Sequence, residues 1–194
     1  LIINYNINMI KNIILCYILL FSFSTLCFSA DFNKGLRLAQ SGNYIAAFNE
    51  WHPLAINGNV EAQYNIGLMY LKGDGVIQNY LKAEKWFRLS ALQGHTKGQY
   101  NLGKLYLSGK GVAKDFIEAS KWFQILAIKG YDIAQLNLAE IYYYGGNGIE
   151  KNYENAQIWY LAAAKQSNAI AQYYLGEIHR KGQGVIQNYS KAAT

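Results

Sequence analysis

Cysteine and proline are nearly absent. The 194 residues include two Cys and one Pro, and both cysteines, Cys16 and Cys27, fall within the first thirty positions. The rest of the chain has no thiol, which excludes a disulfide-stapled fold and a cysteine nucleophile. Charge is also scarce: 15% of residues are Asp, Glu, Lys or Arg, whereas 52% are hydrophobic. So apolar a chain is not a disordered tail. The net charge is +6, and setting Lys11 aside leaves 17 basic against 12 acidic residues. That excess is too small and too dispersed to indicate a nucleic-acid partner. His52, His95 and His179 stand at unrelated positions with no second ligand at helical spacing, so neither a metal nor another cofactor is expected. Glycine, in contrast, occurs 18 times, and beside a single proline it marks special backbone positions rather than linkers.

The first thirty residues read as an address. Met9-Ile10-Lys11 precedes an apolar run from Ile13 to Phe23, and Ser24 to Ala30 form a small-residue exit before the first acid, Asp31. A positive start, a short apolar core and such an exit are the parts of a secretory signal. Cleavage after Ser29 or after Ala30 is compatible with the pattern. The alternative is a retained anchor over residues 9–30, because no charge occurs from Asn12 to Ala30. The bulky Leu26 before Cys27 argues against lipidation. A periplasmic or secreted location is therefore expected, with no stable membrane insertion once the segment is removed.

The remainder is periodic. Gln63, Gln99, Gln135 and Gln172 are spaced by 36, 36 and 37 residues, and Trp86, Trp122 and Trp159 keep the same step. The extra residue lies in a turn, where Gly145-Gly146-Asn147-Gly148 replaces Gly73-Asp74-Gly75 and Gly109-Lys110-Gly111. Ala62, Ile66, Met69 and Tyr70 recur at helical spacing and end at Gly73, suited to a left-handed helix terminus. Val76, Val112, Ile149 and Val185 plug the turns. Asn79, Asp115, Asn152 and Asn188 stand where a second helix needs an N-cap, and Asp115 with Glu118 has capping-box spacing. Small residues in mid-helix, Gly67, Gly103, Ala139 and Gly176, imply close backbone contact between paired helices.

These signals predict an all-α fold, an array of antiparallel helix pairs. Its divisions are a capping pair over residues 31–58, repeats over 59–95, 96–131 and 132–167, and an incomplete fourth repeat over 168–194. Pro53, inside the second capping helix, predicts a kink. The fourth repeat stops before its second helix is complete, as expected of a fragment, and such an uncapped end could pair with another chain.

Ala62-Gln63-Tyr64-Asn65-Ile66-Gly67-Leu68-Met69-Tyr70, then Gly73-x-Gly75-Val76 and Ala83-x-x-Trp86-Phe87, resemble the Sel-1-like repeat, a relative of the tetratricopeptide repeat. Trp51-His52-Pro53-Leu54-Ala55 is similar to the opening of bacterial members. The resemblance implies a right-handed α-solenoid that acts as a non-enzymatic scaffold and binds a protein or peptide partner in its concave groove. It places Asn65, Asn101 and Asn137 on the groove-lining first helices. A ladder of amides can read an extended backbone, with Tyr64, Tyr100, Leu136 and Tyr173 as its apolar floor. The other reading of the ladder is that these amides only bond between adjacent helices and maintain the stack. In the fourth unit Tyr174 replaces the Asn.

Some relatives with a cysteine pair in every repeat have been linked to penicillin binding. That leaves an envelope enzyme or cell-wall or β-lactam-binding protein as an alternative function, which the cysteine-free repeats weaken. A membrane-anchored assembly factor is a further alternative. No catalytic group is expected, and Glu84, Glu118 and Glu154 occupy different columns, as solvated helix surface does.

Overall fold

In a computed structural model of the chain, residues 30–192 are described. The expected signal segment, with Met9, Cys16 and Cys27, lies outside them except for Ala30, as do Ala193 and Thr194. Ten helices occur among the described residues. They are α1 (Phe32–Gln40), α2 (Tyr44–Ile56), α3 (Val60–Lys72), α4 (Tyr80–Leu92) and α5 (Thr96–Ser108). There follow α6 (Phe116–Ile128), α7 (Asp132–Tyr144), α8 (Tyr153–Ala164), α9 (Ala169–Lys181) and α10 (Tyr189–Ala192). Each odd-numbered helix packs on the next even-numbered one, and each pair packs on the next pair, as an α-solenoid does.

The helix ends follow from local chemistry. The side chains of Asn79, Asp115 and Asn152 accept the N–H three residues on at 2.9, 2.9 and 2.8 Å. Asn188 does the same for Lys191 at 2.9 Å. Each such cap is worth about 1 kcal/mol. The capping box is only half formed. Glu118 binds Lys121 at 2.6 Å instead of reaching back, and the Asp115 N–H donates to the Tyr106 carbonyl at 3.0 Å. At the other end of the first helices, Gly73 closes α3 at φ +85°. Two residues on, the chain passes so close to the start of α2 that a Cβ on Gly75 would lie 2.6 Å from the Tyr44 backbone. The longer third turn is closed by reciprocal bonds between Gly146 and Ile149, at 2.8 and 2.9 Å. Helix α2 continues through Pro53, whose carbonyl still accepts from Asn57 at 3.1 Å.

Within each pair one contact recurs. A Cβ on Gly67 would meet the Phe87 ring at 2.7 Å, and one on Gly103 would meet Phe123 at 2.9 Å. Phe87 and Phe123 are fully buried, so Gly67 and Gly103 are seats for rings, whereas a Cβ on Gly176 would meet the Ala192 backbone carbonyl at 3.0 Å. Ala139 and Tyr160 share a core cluster at the corresponding place. The first pair repeats the device with Gly35 under the Trp51 indole, which donates to the Phe32 carbonyl at 3.1 Å.

Between pairs the glutamine column forms the link. The Nε2 atoms of Gln63, Gln99 and Gln135 donate to the carbonyls of Ala55, Ala91 and Ala127, each at 3.1 Å. Each acceptor is in the last turn of the preceding even-numbered helix, where it also accepts the backbone N–H of Gly58, Gly94 or Gly130 at 3.1, 2.9 and 3.0 Å. The amide oxygens of Gln63 and Gln135 accept from Gln93 and Gln166 at 2.8 and 2.9 Å. Gln99 has Lys129 at the matching position, and its Oε1 is buried without a partner.

Candidate functional site

A pocket of about 480 Å³ opens along the first helices of three successive repeats. Tyr64 of α3, with Thr96, Lys97, Tyr100 and Asn101 of α5, forms one part of it. Tyr131, Asp132 and Ile133, at the start of α7, form another. The α5 residues share one face because positions i, i+1, i+4 and i+5 of a helix are neighbours. The lining is mostly ring and aliphatic carbon, with one cation and one anion, Lys97 and Asp132, at its edge. Burial raises the pKa of the Tyr64 and Tyr100 hydroxyls despite hydrogen bonds from Asn101 and Asn137. Both stay protonated at neutral pH and can donate.

The predicted groove residues divide into two groups. Tyr64, Tyr100 and Asn101 meet at the pocket, where Asn101 Nδ2 approaches the Tyr64 hydroxyl at 3.5 Å. Asn137 is buried, and its amide donates to the Ile133 carbonyl one turn back at 2.6 Å. Leu136 is buried in the core with Tyr143 and Tyr160 rather than flooring a groove. Tyr173 is 65% exposed on α9, and Asn65 is half-buried on α3, both outside the pocket lining. Asn101 and Asn137 thus each pair with the tyrosine one repeat earlier, Tyr64 and Tyr100.

Tyr131, Ile133, Asp132, Lys97 and Thr96 were not legible as site residues. They stand at helix starts, in columns where the repeat does not keep its chemistry: Asn59, His95, Tyr131 and Asn168 share one, Val60, Thr96, Asp132 and Ala169 the next, and Glu61, Lys97, Ile133 and Ile170 the one after. The available signal was the break itself. Asn59 and Asn168 cap their helices, whereas Tyr131 makes no side-chain cap and lines the pocket. His95 retains the cap by another route. Its Nδ1 accepts from Gly98 at 3.1 Å, its Nε2 faces Glu61 at 3.3 Å, and its ring lies 4.6 Å from Tyr64. Both ring nitrogens are engaged, so His95 orders the wall of the pocket.

One acid departs from the sequence expectation. Glu84 is buried, not solvated, because Tyr106 and Arg88 each donate to it at 2.8 Å. Tyr174, in the place of the ladder asparagine, stacks on Tyr160 at 5.0 Å and shares a 2.6 Å hydrogen bond with Tyr144. His52 packs as a ring on Phe48, 4.8 Å away. Among the described residues no group of His, Cys, Asp and Glu is placed to hold a metal ion.

A sequence model of the Sel1 repeat matches residues 60–95, 96–131, 132–168 and 169–193. The chain belongs to the Sel1 repeat family. A Sel1 repeat protein from Oxalobacter formigenes is 31% identical with a TM-score of 0.73, over 84% of this chain and 66% of that one. A protective antigen present in uropathogenic Escherichia coli strains, displaying an SLR fold, is 30% identical with a TM-score of 0.69. That match covers 84% of this chain and 40% of the antigen, so the chain spans two thirds or less of either relative. No significant match was found among curated proteins. Sel1 repeats generally serve as protein–protein interaction scaffolds without enzymatic activity.

Proposed function

We propose that this Sel1 repeat protein is an exported scaffold that seats an apolar side chain of a partner protein segment in the pocket on α3, α5 and α7. The observation that carries this reading is the pocket itself, about 480 Å³ of largely apolar lining with tyrosine hydroxyls and an asparagine amide at its wall. Such a site buries an apolar anchor and offers a few polar groups to orient the chain that bears it. Lys97 and Asp132 at the edge suit the two ends of a peptide dipole or a flanking charged pair. The secretory pattern of residues 9–30 supports a periplasmic or secreted location, or attachment at the inner membrane if the segment is retained.

Panning a random peptide library on the protein, with counter-selection on Ile133→Glu, tests this. Enriched peptides sharing one large apolar residue, and losing at least tenfold in affinity on Ile133→Glu and Tyr100→Ala, support the reading. Enriched peptides that bind the variants as well as the original protein refute it.

A further inference from the structure

The solvent side of α2, α4 and α6 carries a stripe of aliphatic side chains. On α2, α4 and α6 the residues farthest from the core fall at i, i+4, i+8 and i+11, one stripe of each helix. Two of these four positions are aliphatic in all three helices: Ile45 and Ile56, Leu81 and Leu92, Ile117 and Ile128, which are 42 to 72% exposed. The i+8 position adds Pro53, Leu89 and Ile125. Together these nine side chains present on the order of 1,000 Å² of surface to water, and on α8 the same positions are Glu154, Ala162 and Lys165, so the stripe ends at α6. A few hundred Å² is usual for the largest patch of a monomeric protein.

The remaining position of the stripe is Asn49, Lys85 and Lys121, so the charge set among the aliphatics is positive, with Lys121 also bonded to Glu118 at 2.6 Å. Among the charged residues of α4, Glu84 is buried in its bonds with Arg88 and Tyr106, leaving Lys82 and Lys85 exposed. A second copy docked on this face would offer the same aliphatic stripe and the same basic excess. An anionic lipid surface instead answers both features: aliphatic side chains enter the headgroup boundary while lysine stems reach the phosphates. None of the described helices is long and apolar enough to cross a membrane, so the contact would lie in its plane.

We infer that the outer face of α2, α4 and α6 docks on an anionic phospholipid surface, leaving the pocket on the first helices open to a protein partner. The inference does not depend on that pocket being occupied. Its test uses the full chain with Cys16→Ser and Cys27→Ser and a single fluorophore-bearing cysteine, at Ile128→Cys or, as control, at Lys97→Cys. Vesicles contain phosphatidylglycerol with phosphatidylcholine, or phosphatidylcholine alone, and carry a headgroup-level quencher. Quenching at position 128 at least fivefold above that at 97, on anionic vesicles only, supports the inference. So does its loss when Lys85→Glu and Lys121→Glu are added with helical content unchanged. Equal quenching at the two positions, or insensitivity to the lysines, overturns it. A dimer in solution that Leu92→Glu dissociates also overturns it, since a second copy then covers the face.

Discussion

Gln99 is the link in the glutamine column with an empty acceptor, and Lys129→Gln should fill it. In the neighbouring repeats the equivalent residues, Gln93 and Gln166, donate to Gln63 and Gln135 at 2.8 and 2.9 Å. Lys129 occupies that position in the second repeat, and Gln99 Oε1 is buried with no partner. A buried acceptor left unpaired costs about 1–3 kcal/mol, and a net hydrogen bond returns about 1 kcal/mol. Lys129→Gln should therefore stabilise the protein by about 1 kcal/mol, raising Tm by about 2–4 °C for an array of this size. Urea and thermal unfolding followed by far-UV circular dichroism would read the change. Two controls isolate the bond. Lys129→Ala removes the charge without supplying an amide and should give no gain, and Lys129→Gln in a Gln99→Leu background should give none either. An equal stabilisation with and without Gln99 would show that the lysine charge, not the orphaned oxygen, sets the effect, and would refute the reasoning.

Gly67→Ala sets two effects against each other: alanine favours the helix by about 1 kcal/mol, but its Cβ would lie 2.7 Å from the buried Phe87 ring. The steric effect should win, with a net loss of about 1–2 kcal/mol in denaturant unfolding, and a gain in stability would disprove the ring seat. Burial raises the pKa of Glu140 above the ordinary carboxylate range, against a smaller attraction from Lys104. Its charged form therefore opposes folding above the raised pKa. Glu140→Gln should be the more stable protein at pH 7, and its advantage should vanish as the pH falls below the ordinary carboxylate value; an advantage that grows toward acid pH would contradict this. Asn137→Ala should cost about 1 kcal/mol of stability through its lost bond to Ile133. Tyr100→Ala should cost stability as well, because its ring packs on Phe123 at 5.9 Å, and should also weaken pocket-binding peptides in calorimetry by far more than Asn137→Ala does.

The fold was legible because every repeat restates it. A single unit would leave Gln63 ambiguous, but four glutamines at one step require one shared role, and the structure shows the bond to the preceding helix end that demands it. The glycine seats were half legible. Spacing showed that something must come close to Gly67, but only packing shows that it is the Phe87 ring. The pocket was the least legible part, for the same reason that the fold was easy. Periodicity reports what units have in common, and the amides Asn65, Asn101 and Asn137 recur in three of the four. Tyr131 and Ile133, which shape the pocket, are departures from their columns and carry no repeating signal. Glu84 was misread in a similar way, since its donors Arg88 and Tyr106 lie on two helices and only the packed pair brings them together.

Site-specific photo-crosslinking in living cells tests the scaffold reading most directly. A benzoylphenylalanine in place of Tyr131, half-exposed at the pocket, is compared with one in place of Ile186, which is exposed and outside it. A discrete protein adduct from position 131, absent at 186 and removed by Tyr100→Ala, is the expected result. No adduct at 131, or the same adduct at both positions, would contradict a partner seated in the pocket.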